Sequence, residues 1–350
     1  MTFDLKKIDP KNMYTQIFSF PDQLKNALNI GINHHPKIRD VNITSVVIAG
    51  MGGSGIGGEL IKALTADSVT IPIEIVKDYN IPFWVSSSTL VICISYSGNT
   101  EETLSCYNQA LVRGAKVLGI TSGGELLSKL KKDRCDFINI GDGNPPRASL
   151  GYLAIPALIY LCDLGLCAER IKDEISHSVL FLLEIRESFS KQSKSNPAMN
   201  LAMKIYDSIP IIYGDARYTE FVALRLRGQL EENAKMLGFH HTLPEMNHNE
   251  IVGYYNNPML LKKIGIIWLI DKSQHSGSSL RQSLTKDLIR DTVKYQEEII
   301  SIGNSITERL LYLLNFCDWV SYWCAILHDT DPTPVKLIEE LKQKLYENRD

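Results

Sequence analysis

The stretch Val46-Val-Ile-Ala-Gly-Met-Gly-Gly-Ser-Gly-Ile-Gly-Gly-Glu59 decides how this chain is read. An apolar run stops abruptly in a cluster of glycines around one serine, the pattern of a buried strand that turns sharply into a helix. Glycine lets the backbone take positive φ and approach a ligand closely. The first turn of a helix adds N–H groups and the positive end of its dipole. Ser54, with Gly52 and Gly53 as a backbone cradle, therefore marks a seat for an anion, above all a phosphate. Gly53-Ser-Gly-Ile-Gly-Gly58 also satisfies the G-x-G-x-x-G spacing of a dinucleotide turn, with Asp78 as the acid that would hold a ribose. A glycine turn that merely packs helix on strand meets the same spacing.

A second turn weighs against a dinucleotide. In Ile94-Ser-Tyr-Ser-Gly-Asn-Thr-Glu-Glu-Thr103, the hydroxyls of Ser95, Ser97 and Thr100 surround Gly98 and Asn99 at the start of another helix. With Ser54, four hydroxyls and two helix N-termini can converge at the carboxyl edge of one sheet. Hydroxyls around a nest of N–H groups suit a terminal phosphomonoester better than a pyrophosphate bridge. The plainer alternative is that Ser97 and Thr100 only cap a helix.

Working outward, 45–50, 73–77, 90–95, 116–121 and 137–141 read as strands, with helices near 55–66, 99–113, 124–131 and 151–165. Near-continuous apolar strands separated by helices predict an α/β fold with a parallel sheet sandwiched between helices. Residues 1–37 read as a helical lead-in, with Ser19 placed to cap the helix that opens at Phe20. The charged helical stretch 169–207 reads as a connector. A second α/β unit begins at Ile209-Pro-Ile-Ile-Tyr-Gly214, followed by a helix over 220–237, strands at 264–270 and 297–302, and helices near 279–290 and 305–327. The expected organisation is a first domain at 38–168, a second at 208–330 and a C-terminal helix within 331–350. Both domains open on the same strand–glycine–helix pattern.

Of the 350 residues, 44% are hydrophobic and 22% charged, with a formal net charge of −3. These are values of an ordinary globular protein, and they give no basic surface for nucleic acid or an anionic membrane. The first ten residues carry no apolar h-region, and the longest apolar stretch, Leu153 to Leu166, is interrupted by Asp163, so no membrane span is expected. Seven cysteines without a C-x-x-C pair predict neither a disulfide framework nor a zinc ribbon. Reduced thiols in a cytoplasmic protein are the expectation.

The pairing of Gly50-Met-Gly-Gly-Ser-Gly55 with Ser95-Tyr-Ser-Gly-Asn-Thr-Glu-Glu-Thr103 resembles the sugar-isomerase (SIS) signature. Val76-Lys-Asp-Tyr79, Pro146-Arg147, Glu232-Asn-Ala-Lys235, Pro244-Glu-Met-Asn-His-Asn249 and Leu341-Lys342 resemble, in order, one subfamily, the bifunctional phosphoglucose/phosphomannose isomerases. The resemblance runs from about residue 40 to 345.

It implies two SIS-type domains and a reversible isomerisation of glucose 6-phosphate, and of mannose 6-phosphate, with fructose 6-phosphate through a cis-enediolate. No cofactor and no metal are implied. The phosphate falls to Ser54, Ser95, Ser97 and Thr100, with the backbone of Gly52, Gly53 and Gly98. Glu232, and not its neighbour Glu231, is implied as the base; by pattern alone, adjacent glutamates on a helix read as a solvated face. His248 and Lys342 are implied in ring opening, for which a histidine titrates in the right range. His240 and His241 are rivals for that role. Arg147, always charged, is implied to hold the enediolate without donating a proton.

The resemblance further implies a homodimer with its active site at the subunit interface, His248 serving its own or the partner's site. A threonine shortly before the last helix is implied to make room for both C2 epimers. The nearest candidate, Thr333, is offset when the Leu-Lys pairs are aligned without a gap. The alternatives from other classes are a non-catalytic SIS-type regulator that binds a sugar phosphate, and an NAD-dependent oxidoreductase. The first would carry a basic DNA-binding domain, for which residues 1–37 are too short.

Overall fold

The computed structural model of the protein describes residues 3–38 and 42–348. Residues 1 and 2 of the expected lead-in, residues 39–41 of the expected first domain, where the family resemblance begins, and residues 349 and 350 of the expected last segment lie outside the described residues. The chain forms two compact units. The first comprises Ser19–Glu184 and Ile302–Tyr312; the second comprises Met1–Phe18, Ile185–Ser301 and Leu313–Asp350. The short helices α1 (Leu5–Ile8) and α2 (Met13–Phe18) belong to the second unit, and α3 (Phe20–Ile32) to the first. Ser19 sits at the N-cap of α3 but makes no side-chain cap hydrogen bond; Pro21 fixes the first turn instead.

In the first unit the chain runs β1 (Ser45–Ala49), α4 (Gly52–Thr65), β2 (Ile73–Val76), β3 (Thr89–Ile94), α5 (Glu101–Val112), β4 (Lys116–Thr121), α6 (Gly124–Lys132), β5 (Asp136–Asn139) and α7 (Leu150–Asp163). All five strands are parallel, in the order β2-β1-β3-β4-β5. Every residue of β1 and β3 is buried, as a strand covered on both faces requires. Val47 and Ala49 pack with Val91, Cys93, Cys106 and Tyr107 on one face. The strand order reverses between β1 and β3, so both quoted turns lie at the point where open parallel sheets bind ligands.

The division between units falls inside α8 (Arg170–Ser190) and α13 (Ile306–Leu327). The second unit contains α9 (Pro197–Ile205), β6 (Ile209–Asp215), α10 (Glu220–Asn233), β7 (Phe239–Leu243), α11 (Pro258–Leu261), β8 (Ile264–Ile270), α12 (Ser276–Leu288) and β9 (Tyr295–Ile300), and ends in α14 (Lys336–Glu347). Its four parallel strands take the order β7-β6-β8-β9, so it repeats the first sheet's opening topology.

Two expectations are corrected by the structure, and one strand is added to them. α10 stops at Asn233 and not near 237, because Lys235 takes φ +55° and turns the chain out of the helix. β7, with the sequence FHHTL, had no apolar alternation by which to be recognised, and it forms because β6 offers a free edge. The longest apolar helix is α13 and not the 153–166 stretch. By length and composition it could cross a membrane, yet 94% of its most apolar window is buried inside the protein. Within the second unit Arg225 on α10 grips Asp318 on α13 with two bonds of 2.7 and 2.9 Å, and Gln229 adds a third at 2.9 Å. This buried pair anchors the helix that carries Glu232.

Candidate active site

The candidate residues of the first unit rest on a backbone construction. α4 opens at Gly52, which takes φ +51°, so Ser54 lies inside the first turn. The N–H groups of Ser54 and Gly55 donate to the Met51 carbonyl, and Gly52 and Gly53 precede them as the first two residues of the helix. A Cβ at Gly53 would lie 3.0 Å from the Pro146 carbonyl oxygen and 3.4 Å from Cα of Arg147. Glycine here lets the turn Pro146–Ala148, and buried Arg147 with it, close against the N-terminus of α4. That turn is held from α3, where Gln23 donates to Ala148 O (2.7 Å) and accepts from Gly151 N (2.7 Å).

The neighbouring turn is equally specific. Ser95, buried, shares a 2.9 Å hydrogen bond with Thr100 and accepts from Gly98 N, while Ser97 Oγ accepts from Asn99 N. Thr100 occupies the N-cap of α5 without making a cap bond, so capping alone does not account for its hydroxyl. Gly98 takes φ +69°, and a Cβ there would fall 1.9 Å from the Gly123 carbonyl oxygen. Asn99 reaches over to cap α6 through Glu125 N (2.9 Å). Tyr96 OH accepts from Asn144 N (3.0 Å), which ties this turn to the loop leading to Arg147. Ser54, Ser95, Ser97, Thr100, Gly52, Gly53, Gly98 and Arg147 are thus gathered at one sheet edge.

A separate group of candidate residues lies in the second unit. Glu232 sits in the last turn of α10 and lines a cavity of about 630 Å³ with Glu231, Lys235, Asp331, Lys336 and Ile338. The paired glutamates are distinguished by their neighbours. Glu231 lies 3.7 Å from Arg227 one turn back, and burial pushes its carboxyl up against the pull of Arg227, with the Glu232 charge adding to the rise. His248 is exposed on the short turn Glu245–His248, and Lys342 is exposed on α14. Neither lines the Glu232 cavity. Thr333 precedes α14 and donates from its N–H to Asp331 (2.9 Å).

Two features escaped the reading of the residues. His241 binds Glu250 at 2.6 Å, and Glu250 accepts in turn from Tyr213, whose hydroxyl also meets that of Tyr254. This network fixes the segment directly after His248; its members are spread over 42 positions, and only the polar bias of β7 hinted at it. His240, facing the other way, lies near Arg227. The second feature is the reach of Lys235, whose Nζ donates to the Asp331 carbonyl at 2.7 Å.

Two parallel sheets of this order, with glycine- and hydroxyl-bearing turns at the first switch point, define a SIS-type α/β fold. The C-terminal domain of glucosamine-fructose-6-phosphate aminotransferase from Francisella tularensis shares it with a TM-score of 0.74, over 92% of this chain and 98% of that one, at 12% identity. Residues 194–345 match the family model of the bacterial phospho-glucose isomerase C-terminal SIS domain. The bifunctional phosphoglucose/phosphomannose isomerase of Caldicellulosiruptor bescii is 42% identical over 340 residues, covering 97% of this chain and 100% of that protein. The enzyme of the same name from Aquifex aeolicus is 39% identical, over 86% of this chain and 90% of its own length. The chain belongs to the bifunctional phosphoglucose/phosphomannose isomerase family.

Proposed function

We propose that the protein interconverts glucose 6-phosphate and mannose 6-phosphate with fructose 6-phosphate. The observation that carries this reading is the convergence of the Gly52–Ser54 and Ser95–Thr100 turns at one switch point, with Arg147 closed against Gly53. In this reading the phosphate rests on Ser54, Ser95, Ser97 and Thr100 and on the N–H groups of Gly52, Gly53 and Gly98. His248 and Lys342 assist ring opening. Glu232 removes the proton from C2 of the aldose and returns it to C1, while Arg147 holds the negative charge of the cis-enediolate between the two steps.

Residues 38–168 then act as the phosphate-binding domain and 208–330 as the proton-transfer domain, joined by 169–207. The working form is a homodimer with its active site at the subunit interface; the exposure of His248, away from the Glu232 cavity, supports a histidine shared between subunits. The seven free thiols fit a reducing, cytoplasmic setting.

Incubation with fructose 6-phosphate in D2O, followed by NMR, tests the reaction. Deuterium at C2 of both glucose 6-phosphate and mannose 6-phosphate is expected, and absence of product and exchange overturns the reading. Glu232→Gln is expected to lower kcat about 1,000-fold with KM little changed, the loss typical of a removed general base.

A further inference from the structure

Resting on the assignment of Glu232 as the base, we propose that Lys235 is the positioning residue that locks this base to the wall of its cavity. α10 ends one residue after Glu232, and Lys235 follows in the left-handed region at φ +55°. Glycine fills that region most readily at helix ends, and an L side chain there is strained. The lysine side chain folds back from this position. Its Nζ donates to the carbonyl oxygens of Glu232 (2.9 Å), Asn233 (3.1 Å) and Asp331 (2.7 Å). Three N–H bonds of one ammonium group meet three carbonyls, a match to its donor count.

Two of these carbonyls belong to the last turn of α10, where helix bonding leaves acceptors over and the dipole favours a cation. The third lies 96 residues further along, at the start of the segment that walls the Glu232 cavity. Asp331 organises that segment in turn, since its carboxylate accepts from Thr333 N just ahead of α14. A glycine at 235 would end the helix with less strain but could not reach Asp331. Lys235 therefore does what helix termination alone does not need: it fixes the backbone of the base and the 331–338 wall as one body. Proton transfer is sensitive to such positioning, because a displacement of about 1 Å can cost about 100-fold in rate.

The test compares Lys235→Gly, Lys235→Met and Lys235→Arg in the full chain. Lys235→Gly is expected to melt at or above the wild-type temperature, because it relieves the left-handed strain. Amide hydrogen exchange at 331–338 is nevertheless expected to quicken about tenfold or more in the Gly and Met variants, as a local opening no longer held by the clip. For fructose 6-phosphate, kcat should fall about 30-fold with KM within about threefold, and Lys235→Arg should recover part of the loss. With glucose 6-phosphate deuterated at C2, the share of label carried to C1 of the product should drop as the opened wall admits water. Unchanged exchange at 331–338 in both variants, kcat within twofold of wild type, or unaltered label transfer overturns the proposal. Amide exchange reads the clip without turnover, so a wild type that fails to isomerise defeats the functional reading while exchange still judges Lys235.

Discussion

The loops after β1 and β6 occupy the same place in the two sheets, each leaving the first strand at a switch point, yet they are built to opposite ends. After β1, glycines bring the backbone close, and Ser54 follows them in the first turn of α4. After β6 the turn begins with a glycine as tight, since a Cβ at Gly214 would fall 2.6 Å from the carbonyl carbon of Thr219. It then closes on itself. Buried Asp215 accepts from Arg217 N (3.0 Å), and Thr219 Oγ1 accepts from Asp215 N (2.7 Å). The second turn carries a buried carboxylate where the first carries a serine and glycines. Topology supplies a candidate anion site at each switch point, and a handful of side chains decides which one stays open.

The largest effect is expected at Gly98. Gly98→Ala forces a Cβ onto the Gly123 carbonyl at positive φ, and should lower stability by roughly 3 kcal/mol or more in chemical denaturation. Gly141→Ala, at an equally positive φ of +69° with open space around it, should lose only about 1–2 kcal/mol. Equal losses would break the claim that the cradle turn is sterically locked.

Next comes the contrast between the open and the closed turn. Ser95→Ala should raise KM for fructose 6-phosphate about 10- to 100-fold, the worth of roughly 1.5–3 kcal/mol for a bond to a charged group. Thr219→Val should leave KM within about twofold and instead lower stability by about 1–2 kcal/mol, because Asp215 N loses its buried acceptor. A KM effect at Thr219 would show that the second turn also meets substrate.

The smallest effect separates the outer edges of the sheets. At β5, burial pushes the Asp136 carboxyl up, but hydrogen bonds from His34, Lys37 N and Tyr160 outweigh it and hold it below the usual carboxylate range. A carboxyl lowered in the folded state contributes stability that is complete above its unfolded value of about 4 and is lost as pH falls through the folded value. Thermal melts should therefore show Tm falling between about pH 5 and 2, with a shallower fall in Asp136→Asn. At β9, half-buried Glu297 pairs with the exposed Lys204, so Glu297→Gln should change stability by about 1 kcal/mol or less at neutral pH.

The sequence by itself determined the order of the five strands of the first unit and the two glycine-bearing turns that follow β1 and β3. A fully buried strand must be an apolar run, and a turn that bares its N–H groups must be built from glycine; both signals lie within a dozen consecutive residues, so they could be read at Val46–Glu59 and Ile94–Thr103. The choice of Glu232 over Glu231 came from family resemblance, since no local pattern separates two adjacent glutamates on one helix. Only the tertiary structure decided where α10 ends, that a polar pentapeptide would add itself to β6 as β7, that the turn after β6 is closed, and that α13 is an interior helix. It alone joined Lys235 to Asp331 and His241 to Glu250. Each of these depends on an edge, a carbonyl or a carboxylate contributed by chain distant in sequence, and such a partner leaves no mark in the spacing of the residues that meet it.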